Sequence, residues 1–284
     1  MEPEISIVVP LHNEGANVEP LARAILSVLR SEKTLLELIL VDDGSTDDTA
    51  ESIRRVQRSE PRVRGLRHLK NAGQSAALWT GFKASRGDVI CTLDGDLQND
   101  PADLPGMLVE LGRFDLVCGV RAKRMDNWVR RVSAKIARLA RNLVLGVDFQ
   151  DTGCNLRVFK RGVLETIVVF DGFHRFMPVL AHRAGSRVCE IAVAHHPRVA
   201  GESKYGVGNR LGRGIYDLLM VRWLLKRQLP RLSASALGAA DVMDLREVEE
   251  MQLRSHEKNS MPLFPSAQPS PQGEGERLAK GEIQ

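Results

Sequence analysis

Asp94-Gly95-Asp96-Leu97-Gln98 sets two carboxylates and a carboxamide within five residues. Hard divalent cations such as Mg²⁺ and Mn²⁺ take oxygen ligands, and Mg²⁺ is commonly held by one or two carboxylates plus the phosphates of a substrate. The stretch therefore suits the handling of a diphosphate. Read alone, it is more readily a solvated acidic turn, because Asp and Gly are ordinary turn residues.

What positions these groups tilts the balance. The apolar run Val89-Ile90-Cys91-Thr92-Leu93 reads as a buried strand that ends at Asp94. A second run, Glu37-Leu38-Ile39-Leu40-Val41, ends in Asp42-Asp43-Gly44-Ser45-Thr46-Asp47-Asp48-Thr49 and leads into a helical pattern at 50–57. A third, Ile5-Ser6-Ile7-Val8-Val9-Pro10, ends in Leu11-His12-Asn13-Glu14-Gly15 ahead of a helix with apolar Val18, Leu21, Ile25 and Leu29. Strand, polar turn and helix make the repeating unit of an α/β sheet, whose ligands bind outside the carboxyl ends of the strands. Three polar clusters at three such ends point to one crevice.

Seven pieces stand in order along the chain: Val9-Pro10-Leu11-His12-Asn13-Glu14, the Val41 to Asp47 turn, Asn71-Ala72-Gly73-Gln74, the Leu93 to Pro101 stretch, Asp151-Thr152-Gly153-Cys154-Asn155-Leu156-Arg157, His174-Arg175-Phe176-Met177-Pro178, and the Arg198 to Gly206 stretch. Together they resemble family 2 glycosyltransferases of GT-A fold. Within these, they resemble the polyprenyl-phosphate sugar transferases, a group that includes dolichyl-phosphate mannose synthases and bacterial undecaprenyl-phosphate aminoarabinose transferases. The resemblance covers about residues 5–228 and implies a mostly parallel, Rossmann-like sheet flanked by helices. It implies a catalytic domain over 1–210, an amphipathic juxtamembrane helix over 211–230, and a tail over 231–284 whose Pro, Gly, Ser, Gln and Glu content reads as largely disordered.

Charge and periodicity bear on the partner. Residues 1–230 hold 34 Lys and Arg against 27 Asp and Glu, net +7, while 231–284 hold 6 against 9, net −3. Eight cations (Arg121, Lys123, Arg124, Arg130, Arg131, Lys135, Arg138 and Arg141) fall within 21 residues, opposed only by Asp126. Nucleic acid, a membrane surface and a phosphate substrate would all answer such a run. From 128 to 145 the apolar residues recur at helical spacing beside a basic face, which fits a helix lying on an anionic bilayer and also an ordinary surface helix. No aromatic stacking platform is interleaved, so nucleic acid is not expected. The 211–229 stretch alternates apolar residues with Arg213, Arg222, Lys226 and Arg227; its apolar run of about 11 residues falls short of the ~20 needed to span a bilayer. The expected location is the cytoplasmic face of the cell membrane, peripherally or through an assembly as a homo-oligomer or with a membrane-protein partner. The four cysteines show no Cys-x-x-Cys pairing and read as reduced and buried. Gly206-Val207-Gly208-Asn209-Arg210-Leu211-Gly212 lacks the spacing of a dinucleotide fingerprint and reads as a flexible loop.

The resemblance implies roles for particular residues. Asp96 and Gln98 would hold Mg²⁺ or Mn²⁺, with Asp94 on the ribose or in the metal shell. Pro10, Asn13, Glu14 and Asp42 would line the base and ribose pocket, and Arg198, Ser203 and Lys204 would close over the donor diphosphate, or else form a solvated loop. Arg121, Arg130, Arg131, Ser133 and Lys135 would place an acceptor phosphate. Asp151 is a candidate base, or else fixes Arg157 or Arg175, both placed near the substrate, through a salt bridge. The donor expected is a nucleotide-diphosphate sugar, UDP favoured over GDP, and the acceptor a polyprenyl phosphate, with inversion at the anomeric carbon. A glycan-directed family 2 transferase and a non-catalytic nucleotide-sugar or anionic-lipid binder are the alternatives.

Overall fold

The computed structural model describes residues 5–28, 36–121, 138–139, 141–197 and 207–227, all of them in one unit, Met1–Gln228. In chain order the elements are β1 (Ile5–Leu11), α1 (Gly15–Val28), β2 (Leu36–Asp42), α2 (Thr49–Ser59), β3 (Val63–Arg67), α3 (Gln74–Ala84), β4 (Val89–Thr92), α4 (Leu104–Glu110), β5 (Leu116–Arg121), β6 (Arg157–Lys160), α5 (Phe173–Arg183), β7 (Val188–Val193) and α6 (Val207–Arg227). Short 3₁₀ turns occupy Pro101–Asp103 and Arg161–Thr166.

Seven strands form one sheet in the order β3-β2-β1-β4-β6-β5-β7. β1 runs parallel to β2 and β4, β3 parallel to β2, and β7 parallel to β5, while β6 is antiparallel to both β4 and β5. The chain steps outward from β1 to β3 and then crosses back to place β4 on the other side of β1. That reversal opens a crevice beyond the carboxyl ends of β1 and β4.

The central strands are mostly apolar because both faces are covered. Alternate residues of β1 point opposite ways: Ile7 and Val9 join a cluster with Val18, Leu21, Ile25, Ile53 and Met107, so α1, α2 and α4 cover one face. Val8 joins Ile39, Leu78, Phe82, Phe173, Met177 and Val221, so α3, α5 and α6 cover the other.

The stretch expected to be a flexible loop before residue 212 is instead helical from Val207, since α6 starts there. Glycine disfavours a helix by up to about 1 kcal/mol each, but packing of an apolar face overrides propensity. Here Val221 is fully buried, and Leu218, Met220, Leu224 and Leu225 pack against the same cluster. The opposite face leaves Tyr216, Leu219 and Trp223 exposed. Among the described residues, no helix is long and apolar enough to cross a membrane. Of the helix expected over 128–145, residues 138–139 and 141–145 are helical, and the rest lies outside the described residues, as do 231–284. The four cysteines are free thiols, three of them buried.

Candidate active site

Two loops at the carboxyl ends of β1 and β2 are stitched together by side chains. Asn13 Oδ1 accepts from the Thr46 amide at 2.9 Å, and the Asn13 amide donates to Ser45 Oγ at 2.9 Å. The Glu14 amide donates to Thr49 Oγ1 at 2.9 Å, and the Gly15 amide to Asp47 Oδ2 at 3.1 Å. Glu14 Oε2 also accepts from Asn17 Nδ2 at 2.7 Å. Asn13 and Glu14, expected in the base and ribose pocket, thus also build the loop. Asn13 has φ 54°, a left-handed conformation that Asn tolerates better than most residues.

Asp42, at the end of β2, is 1% exposed. Its Oδ1 accepts from the Ser45 amide at 2.8 Å. Its Oδ2 lies 3.0 Å from Arg67 Nε as an ion pair, yet the alignment falls short of a hydrogen bond and the oxygen is left without a donor. A buried acceptor in this state invites an N–H from a ligand. It borders a cavity of about 260 Å³ that Ile53, Arg54, Leu66 and Arg67 also line.

Asp43 does different work, which no local pattern separates from that of Asp42. Its Oδ1 accepts from the Ala72 amide at 2.9 Å and its Oδ2 from the Gly73 amide at 2.8 Å, which pins the start of α3 to β2. Gly44 completes the turn at φ 65°, and a Cβ there would lie 2.4 Å from the Lys70 carbonyl carbon, so only glycine lets the two backbones meet.

The Asp-x-Asp turn sits against β1, where a Cβ on Gly95 would meet Leu11 Cδ2 at 2.5 Å and the Pro10 carbonyl oxygen at 3.0 Å. Asp94 Oδ1 accepts from Gln74 Nε2 and from Asn155 Nδ2, both at 2.9 Å. Burial raises the Asp94 pKa and the Asp96 carboxylate pushes the same way, against the Asn155 hydrogen bond and the more distant Arg157 and Arg121. Asp96 is buried, and its Oδ1 accepts from the Gln98 amide at 3.2 Å. Gln98 Nε2 donates to the His196 carbonyl at 3.3 Å, which leaves its side-chain oxygen to face elsewhere. Among the described residues no three His, Cys, Asp or Glu side chains gather into a metal cage. A cation here would rest on Asp94, Asp96 and Gln98 together with ligand phosphates, an all-oxygen set that fits Mg²⁺ or Mn²⁺.

The stretch after this turn is bridged to the segment that follows β7. The His196 amide donates to the Gln98 carbonyl at 2.9 Å, the Ala194 amide to Asp103 Oδ2 at 2.8 Å, and Asn99 pairs with His195. Pro197 is the last described residue before Arg198. Arg198, Ser203 and Lys204, like Arg130, Arg131, Ser133 and Lys135, lie outside the described residues.

Asp151 is paired, and its described arginine partner is neither Arg157 nor Arg175. Arg121 Nε and Nη2 reach its two oxygens at 2.6 and 2.7 Å, a bidentate pair that joins the end of β5 to the turn before β6. Arg157 is 2% exposed and donates to the carbonyls of Thr152 and His174, and among the described residues no carboxylate is bonded to it. Such burial makes it part of the scaffold behind Asp94 and keeps its guanidinium from an open pocket. Arg175 is exposed at the start of α5. Of the eight clustered cations, the three described ones have internal partners: Arg121 on Asp151, Arg138 on Asp148, and Arg141 on Thr152 Oγ1 and the Phe149 carbonyl.

His174, 5% exposed, pairs through Nδ1 with Ser75 Oγ at 2.8 Å. Burial, with Arg157 and Arg175 nearby, brings its pKa down to about 3. The folded protein therefore keeps it neutral while the unfolded chain takes up a proton near pH 6.5, so its contribution is complete above that pH and is lost as the pH falls towards 3. Denaturation at pH 7 and pH 5 should show about 2 kcal/mol less stability at the lower pH from this group. His174→Asn should flatten that part of the slope.

Sheet order and the switch-point crevice place the chain in the GT-A fold. The family model for glycosyl transferase family 2 matches residues 6–168, more than half of the chain, and the chain belongs to that family. It is 39% identical over 229 residues to the dodecaprenyl-phosphate galacturonate synthase of Rhizobium johnstonii, a match covering 78% of this chain and 68% of the relative. It is 37% identical over 217 residues to the undecaprenyl-phosphate 4-deoxy-4-formamido-L-arabinose transferase of Pseudomonas paraeruginosa, covering 76% of this chain and 64% of the relative. The chain thus spans about two thirds of the length of these relatives. Among solved structures, the glucosyl-3-phosphoglycerate synthase of Mycobacterium tuberculosis in complex with Mg²⁺ and UDP is similar at a TM-score of 0.58 and 23% identity, covering 78% of this chain and 79% of that one. A mannosyltransferase from Pyrobaculum calidifontis in complex with GDP-mannose and Mn²⁺ is similar at 0.55 and 18%, covering 82% and 66%.

Proposed function

We propose that this protein transfers a sugar from a nucleotide-diphosphate sugar, a UDP sugar in preference to a GDP sugar, to a polyprenyl phosphate. The reading is carried by the Asp94 to Gln98 turn at the mouth of the β1/β4 crevice, in a chain 39% identical to a transferase named for dodecaprenyl phosphate. A divalent cation bound there would neutralise the charge that develops on the leaving diphosphate. Asp42 Oδ2 accepts an N–H of the base, and Asp94 and Asp96 face the ribose and diphosphate. Arg198, Ser203 and Lys204 cover the diphosphate, while Arg130, Arg131, Ser133 and Lys135 orient the acceptor.

The acceptor phosphate is already anionic at neutral pH. One of its oxygens bonds to the anomeric carbon as the bond from that carbon to the diphosphate oxygen breaks, the nucleotide diphosphate departs, and the centre inverts. No proton has to be removed, which agrees with Asp151 being held bidentately by Arg121. A panel of radiolabelled UDP and GDP sugars with polyprenyl phosphate tests the reading. Label should pass into organic solvent with a UDP sugar; label that enters only water-soluble glycan would overturn it.

A lipid-borne acceptor requires contact with a membrane. On α6, Tyr216, Leu219 and Trp223 form an exposed apolar row beside exposed Arg222, Lys226 and Arg227, with Arg227 placed 5.6 Å over the Trp223 ring. Aromatic rings with flanking cations suit the headgroup boundary of an anionic bilayer. The protein should float with anionic liposomes at low salt and release at high salt without detergent. Absence of flotation at low salt would refute peripheral attachment.

A further inference from the structure

The Asp94 carboxylate is gripped by two amides on the same oxygen. Gln74 Nε2 comes from the first turn of α3 and Asn155 Nδ2 from the turn before β6, and both donate to Oδ1 at 2.9 Å. Two donors converging on one oxygen fix the plane of the carboxylate and turn its second oxygen away from them. Each arm is rooted in a different part of the fold. Gly73, just before Gln74, is tied by its amide to Asp43, whose Oδ1 also pairs with His68 Nδ1 at 2.7 Å, and His68 Nε2 pairs in turn with Thr80 Oγ1 at 2.9 Å. Ser75, just after it, is held through Oγ by the Gly172 amide and His174. The Asn155 carbonyl accepts from Thr92 Oγ1 at 2.5 Å, at the end of β4. Gln74 itself is exposed, so packing does not dictate its conformation, and holding it in place costs side-chain entropy.

We propose that Gln74 and Asn155 are positioning residues for transfer, a two-sided amide clamp that aims Oδ2 of Asp94 at the cation and diphosphate. This rests on the reading of the Asp94 to Gln98 turn as the cation site. The test uses the full chain as wild type, Gln74→Met and Asn155→Ala, with free Mn²⁺ followed by electron paramagnetic resonance in the presence of UDP and thermal unfolding followed in EDTA. Losing one hydrogen bond to a charged group should weaken Mn²⁺ binding about tenfold in each variant, and Gln74→Met should unfold close to the wild-type temperature because the position is exposed. A wild type that binds no Mn²⁺ overturns the cation reading and the clamp with it. A wild type that binds Mn²⁺, with Gln74→Met binding equally well, overturns the clamp alone. Should Asn155→Ala lose its fold, the exposed Gln74 position still decides.

Discussion

Asp96→Ala is expected to abolish sugar transfer while leaving the fold intact, and EDTA to silence the wild-type protein. Asp96 is buried at the crevice, where its Oδ1 accepts from the Gln98 amide within the same turn. If Asp96 and Gln98 hold the cation that stabilises the departing diphosphate, their loss removes several kcal/mol at the transition state, hence at least ~10³-fold in rate. Thermal unfolding of the variant beside wild type, together with an organic-phase transfer assay, separates lost chemistry from lost fold. Full activity in EDTA would remove the cation from the mechanism.

Asp151→Ala should have the largest effect on stability. The pair it forms with Arg121 is mostly sheltered, with side chains 16% and 11% exposed, and removing the carboxylate leaves a guanidinium largely cut off from water. Breaking a buried pair from one side costs about 3–5 kcal/mol, whereas replacing both partners by apolar residues is often neutral. Chemical denaturation of Asp151→Ala, Arg121→Met and the double variant Arg121→Met/Asp151→Leu should show the double variant recovering much of the loss. Asp151→Asn carries the opposing test: a general base would lose rate with stability unchanged, and that result would overturn the structural role.

The three polar strand ends were legible because each signal is local. An unbroken apolar run fixes a strand covered on both faces, and a polar turn after it marks the carboxyl end, so β1, β2 and β4 and their loops could be read without tertiary information. The family resemblance rests on the same short stretches. Partners of the charged and amide side chains were not legible, because sheet order sets them across long separations. Asp94 meets Asn155, 61 residues away, because β4 and β6 run antiparallel with Thr92 opposite Arg157, and the register carries 94 to 155 just beyond the ladder. The same register sinks Arg157 behind the crevice, whereas the family resemblance places it near the substrate. Asp42 and Asp43 are neighbours of one type, yet the alternation of side chains along an extended chain sends one to a cavity and the other to the start of α3. Apolar runs and the turns after them mark which strands end in chemistry; which of those side chains are spent on each other and which face the crevice follows from the order and register of the strands, which no local pattern encodes.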